Sequence, residues 1–156
     1  MTTNEFDDHR SELREIYVKS SPKQRLGVAL KRIANADHEP NLLVTRVSSV
    51  EALARSLLVH HLANSNSDAL SFYGVFRHSG PTSLVEAYLQ AVCAKTPQEL
   101  IGTEVWESFG HAVHYRNLLV HECTYLGQDK TPELLSACRL VLLKIAEIAG
   151  LPTSDI

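Results

Sequence analysis

Arg116, Asn117 and His121 are the residues of this chain whose types and spacing suit joint chemistry. A guanidinium is a planar fork of donors that stays charged and matches phosphate oxygens in pairs. Imidazole titrates near neutral pH, so the same group type can take a proton or give one. RNA carries its own nucleophile, the 2′-hydroxyl. Cleaving it needs a base for that proton, an acid for the leaving 5′-oxygen and a cation for the charge that develops on phosphorus. Arg116 and His121 supply those groups without a metal or other cofactor. Asn117 stands four residues before His121, on the same side of a helix, where its amide can fix the imidazole or the phosphate.

The helix that must position them is long and amphipathic. At about 100° per residue, Phe109, Val113 and Val120 fall within roughly 60° of one another and of Trp106, which marks an apolar stripe. Asn117 is expected inside that stripe, with Arg116 and His121 on its flanks about 140° apart. One straight helix does not aim both at one atom. Either a helix end or kink beside His121, or a second copy of the helix across a twofold axis, has to bring them together.

The remaining elements also read as helices. Ser21 to Gln24, Ser48 to Glu51, Ser83 to Glu86 and Thr96 to Glu99 each set a hydroxyl three residues before Glu or Gln, the reciprocal capping arrangement. Thr131-Pro132 opens another helix, and Gly102, Gly127 and Gly150 are stops. Helices are therefore expected near 5–19, 22–36, 48–64, 82–95, 97–101, 103–126 and 131–149. The run Asn41 to Val47 is β-rich but has no partner strand, and reads as a loop or the lead-in to the third helix. Asn64 to Asp68 and Arg77 to Pro81 read as turns. The last helix, with Leu134, Leu135, Leu140, Val141, Leu142, Leu143, Ile145 and Ile148, is apolar almost all round. That places it at the centre of a bundle or against a partner chain, and favours a homodimer. The fold class expected is all-α: an up-and-down bundle of four to five main helices plus short ones.

At 156 residues and 44% apolar, the chain supports one core. The single domain, 1–156, divides into a helical extension over 1–44, a core over 45–149 and a frayed tail over 150–156. No secretory signal and no membrane span is read, and the odd count of three cysteines fits reduced core thiols, so the expected location is the cytoplasm. A net charge of −3 argues against coating nucleic acid by electrostatics alone. Lys19, Lys23, Arg25, Lys31 and Arg32 form an acid-free basic stretch, read as a solvated helix face. His60 and His61 are adjacent and cannot chelate one ion, and His111 and His114 lack further ligands, so no metal site is assigned. His114 lies about two turns, roughly 10 Å, from His121, in a polar groove beside Asn117. Glu51 reads first as the cap partner of Ser48.

Arg116-Asn117-Leu118-Leu119-Val120-His121, late in an all-helical domain with one more helix to follow, resembles the signature of the HEPN superfamily. The resemblance covers about 45–149. It implies a bundle of four to five helices that dimerises so that two copies of the motif meet in a cleft. It further implies a metal-independent endoribonuclease of toxin–antitoxin, phage-defence or CRISPR systems, with Arg116 and His121 catalytic and Asn117 supporting. His114, Tyr125 and Glu51 are the candidate substrate-binding residues, Glu51 because an early-helix acid in the family can face the motif. Members paired with a nucleotidyltransferase antitoxin carry Tyr two residues after the His; here Cys123 stands there and Tyr125 follows.

The expected activity is metal-independent RNA cleavage to 2′,3′-cyclic phosphate products by a homodimer, with RNA, and an antitoxin protein, as partners. The alternative is a non-catalytic module of the same type that binds a nucleotide or a protein, or regulates. An architectural reading of the same residues has His121 bonded to a backbone carbonyl and Arg116 snorkelling to Glu104, Glu107 or Glu122.

Overall fold

The computed structural model describes the backbone of residues 3–36, 41–123 and 131–156, with side chains from Asp7 onward. Among the described residues there are eight helices and no strand. They are α1 (Thr3–Lys19), α2 (Pro22–Ala34), α3 (Asn41–Leu62), α4 (Asn66–Phe76), α5 (Pro81–Cys93), α6 (Pro97–Ile101), α7 (Thr103–His121) and α8 (Thr131–Ile148). The all-α bundle expected from the sequence is what the chain forms.

The centre of the bundle is α3, which packs against α2, α4, α5, α7 and α8. Its Leu43, Val47, Val50, Leu53 and Ala54 are fully buried and share one core with Leu84, Leu89, Phe109, Val141 and Ile145. This is why Asn41 to Val47, read as a loop or the lead-in to the third helix, is the first part of that helix: Leu43, Thr45 and Val47 are buried there, and packing overrides a weak local preference for strand. It also removes Ser48 from any cap. Ser48 lies inside α3, so the pairing of Glu51 with a Ser48 cap does not form. The last helix is not the centre. α8 buries one face, from Leu134 to Ala146, on α7 and α3, and leaves Leu140 38% exposed. Most of its apolar surface is used within the chain, so it no longer argues for a partner.

Two of the four capping boxes form as read. The Ser21 hydroxyl accepts from Gln24 N and the Gln24 side chain accepts from Ser21 N; Thr96 and Glu99 do the same at α6. The direct contact with Thr96 backbone and hydroxyl holds the exposed Glu99 carboxyl below its usual range. The Ser83 box does not form: α5 starts earlier, with Gly80 as cap and Pro81 at the first turn. α4 was not anticipated. Its Ser65 cap accepts from Asp68 N, and Ala69 joins Val18 and Val59 in a second small core beneath Phe72, Tyr73 and Phe76. Gly102 closes α6 and opens α7 at φ 98°, a conformation that suits a residue without Cβ.

The N-terminal helices are tied down rather than loose. The Tyr17 hydroxyl donates to the Ala52 carbonyl at 2.9 Å, and the Arg25 guanidinium stacks over the Tyr17 ring at 3.8 Å. Arg25 is thus a packing residue, not part of a solvated basic face. Burial pushes the Tyr17 phenol above its ordinary pKa and lowers that of Arg25. Of the three cysteines, all free, Cys138 is buried, Cys93 is half-buried and Cys123 is exposed, so Cys123 is not a core thiol. Among the described residues no helix is long and apolar enough to cross a membrane, and no three His, Cys, Asp or Glu side chains gather as metal ligands.

Candidate functional site

The helix that carries the motif, α7, turns inward a broader arc than the expected stripe, with Trp106, Phe109 and Val113 along one edge of it. Trp106, Phe109 and Ala112 are buried, and Val105, Val113, Tyr115, Arg116 and Leu119 are half-buried. On the helical wheel these residues span an arc whose middle is occupied by Arg116 itself. Asn117, expected in the buried stripe, is exposed, and Arg116, expected on a flank, points toward the core. The error came from Val120. It aligns with the stripe by angle, but it sits in the last turn of α7 and is 51% exposed.

Arg116 reaches α3. Its Nη2 donates to Glu51 Oε2 at 3.0 Å, while Arg55 Nη2, one turn along α3, donates to Glu51 Oε1 at 2.6 Å. The three side chains are little exposed: 19% for Arg116, 22% for Glu51 and 10% for Arg55. Glu51 therefore shares one negative charge between two guanidinium groups and the cluster keeps a net charge of +1. Buried charges of this kind persist because each is paired and hydrogen-bonded. Arg55 has two more partners, the carbonyls of Phe76 at 3.3 Å and Ser79 at 3.2 Å, where α4 ends. Burial works against its charge, but Glu51 and Tyr17 outweigh that and hold its pKa above the ordinary arginine value. Arg116 Nε is buried without a partner, so this guanidinium has unused donor capacity.

The other predicted residues lie on the outer face of α7. His114, Asn117 and His121 are all exposed, and at about 20° to 80° on the wheel from Trp106 they share that face. Leu118, 47% exposed, borders them. α7 ends at His121, earlier than the expected residue 126, with Glu122 as its C-cap and Cys123 at φ 50°. That helix end does not bring Arg116 and His121 together: the first is drawn inward to Glu51, the second faces out. The carboxylates of Glu104, Glu107 and Glu122 do not pair with Arg116. Tyr125 and the expected stop at Gly127 lie outside the described residues.

Sequence reasoning placed Glu51 near the motif through the family resemblance and missed Arg55. The signal for Arg55 was present: Glu at one position and Arg four later on a helix are neighbours. Comparison with family models, curated proteins and solved structures returns no match for this chain.

Proposed function

We propose that this chain is a metal-independent endoribonuclease of the HEPN type that works as a homodimer. The observation that carries the reading is the division of labour on α7. Arg116 is held inward by a shared carboxylate, while Asn117 and His121 stay exposed on an adjoining face with the apolar Leu118 and Val120. A second copy laid against this face would cover Leu118 and Val120 and set a second guanidinium and imidazole beside the first.

In that cleft Glu51 anchors Arg116 through Nη2, and the outer N–H groups of the guanidinium that Glu51 leaves free meet the non-bridging oxygens of a phosphodiester. One imidazole removes the 2′-hydroxyl proton as the 2′-oxygen attacks phosphorus. The bond to the 5′-oxygen breaks, and a protonated imidazole gives that oxygen its proton. The products are a 2′,3′-cyclic phosphate and a 5′-hydroxyl, and Asn117 fixes the imidazole or the phosphate.

Purified protein incubated with labelled RNA in EDTA tests this. Cleavage that survives chelation and is lost in both Arg116→Ala and His121→Ala is the expected result; cleavage that persists in His121→Ala rejects the role given to that residue. The double variant Leu118→Ser, Val120→Ser should sediment as a monomer and lose cleavage. A second reading, a non-catalytic module that uses Arg116 as an anion clamp, draws on the acidic net charge of −3 and on the tie between Arg116 and Glu51. Nucleotide binding that depends on Arg116, without RNA cleavage by the intact protein, would favour it.

A further inference from the structure

The bond between Glu51 and Arg116 is half of what these two groups can form. A guanidinium and a carboxylate that meet without competition close as a fork, with two parallel hydrogen bonds. Arg116 makes one of them, from Nη2 to Glu51 Oε2 at 3.0 Å. The partner of Nη2 in a side-on fork is Nε, and Arg116 Nε is buried with no acceptor. The oxygen it would use, Glu51 Oε1, accepts from Arg55 Nη2 instead, at the shorter distance of 2.6 Å. A buried donor left unpaired is costly, so Glu51 and Arg116 would not settle into this arrangement by themselves.

Arg55 can withhold that oxygen because it is itself held. Its Nε donates to the carbonyl of Phe76, the last residue of α4, and its Nη2 donates also to the carbonyl of Ser79 in the connection to α5. The Tyr17 phenol of α1 lies against the same guanidinium. These partners fix the plane of a buried side chain from three elements. Among the described residues Arg55 makes no bond to α7, so it acts on Arg116 through Glu51. The outcome is a singly bonded Arg116, neutralised in part, with N–H groups left over for a second anion.

We propose that Arg55 is a positioning residue of the α7 site: by taking one oxygen of Glu51 it keeps Arg116 from closing on that carboxylate and leaves it able to bind a phosphate. This rests on the reading that Arg116 meets a phosphodiester, catalytic or not. Without Arg55, Glu51 would complete the fork, Arg116 Nε would gain its acceptor, and the net charge of the cluster would fall from +1 to zero.

Two measurements on the full-length chain test this. In NMR spectra the Arg116 Nε–H signal, assigned by its loss in Arg116→Lys, should lie at the position of an unbonded group in the intact protein and move downfield in Arg55→Gln. Binding of a short labelled RNA with 2′-O-methyl groups, which cannot be cleaved, should weaken at least about tenfold in Arg55→Gln. The same change made in Glu51→Gln, where no carboxylate remains to close on Arg116, should cost less than about threefold. A bonded Arg116 Nε–H in the intact protein, which needs no Arg55 variant to fold, overturns the proposal; so does an equal loss from Arg55→Gln in both backgrounds, the mark of a merely structural or through-space role. RNA binding that Arg116→Ala leaves unchanged overturns the phosphate reading of Arg116 and this proposal with it, whereas the other two results overturn this proposal alone.

Discussion

The two arginine pairs around α3 differ in what neutralises them. Arg55 and Arg116 close on the two oxygens of Glu51; Arg139 closes on an oxygen of the last residue, Ile156, and Arg46 reaches only the Leu135 carbonyl. Arg46 and Arg55 belong to the same helix, nine residues apart, which puts them on opposite faces and about 13 Å apart along the axis. One helix thus presents a guanidinium satisfied inside the chain and another that is not. Arg55 ties α3 to Glu51 and to the end of α4, while Arg46 keeps a buried Nε that the folded chain does not satisfy. A count of arginines does not separate these roles; the placement of the carboxylates does.

The largest effect that could break this contrast is loss of the shared carboxylate. Glu51→Ala leaves two poorly exposed guanidinium groups facing each other, and urea denaturation should report a loss of about 3 kcal/mol. A loss below about 1 kcal/mol would mean that Arg55 and Arg116 are as free as Arg46, and the distinction would vanish. Next comes the wall of the second region, the cavity of about 180 Å³ that Cys138 lines with Arg46 and Arg139. A thiol raised from 9.0 to about 12 by folding contributes stability that is complete below pH 9 and is lost as pH rises from there toward 12. By pH 10 the intact protein should have lost about 1.4 kcal/mol that Cys138→Ala, compared with its own value at pH 7, does not lose. Parallel alkaline limbs for the two proteins would mean that this wall is wet. Smaller still, Arg46→Gln removes one hydrogen bond but also an orphan donor, so stability should stay within about 1 kcal/mol of the intact protein. The smallest effect is expected from Asn117→Ala, within about 0.5 kcal/mol because the side chain is exposed, whatever it does to RNA cleavage.

The helices were legible where chain-local chemistry decides them. Ser21 with Gln24 and Thr96 with Glu99 form the boxes their spacing spells, and Gly102 stops α6. The same spacing at Ser48 and Glu51 misled, because a hydroxyl three residues before an acid arises equally inside a helix, and only the burial of Leu43 and Val47 carries α3 back to Asn41. α4 had a weaker signal, Ser65 followed by Asp68, on a segment too short to display a period. At the candidate site, the pairing of residues 51 and 116 spans 65 positions of sequence, and nothing local encodes it. The inward turn of Arg116 was hidden for a related reason: a wheel ranks side chains by apolarity, whereas the core accepted a cation there because a carboxylate waited for it.

The position of α3 in the chain has a consequence for synthesis. The helix against which most others pack is complete by Leu62, yet α7 and α8, which seal two of its sides, are not finished until His121 and Ile148. On the nascent polypeptide the sides of α3 that α7 and α8 cover therefore stay open until those helices emerge, and only α2, already made, shields it from the start.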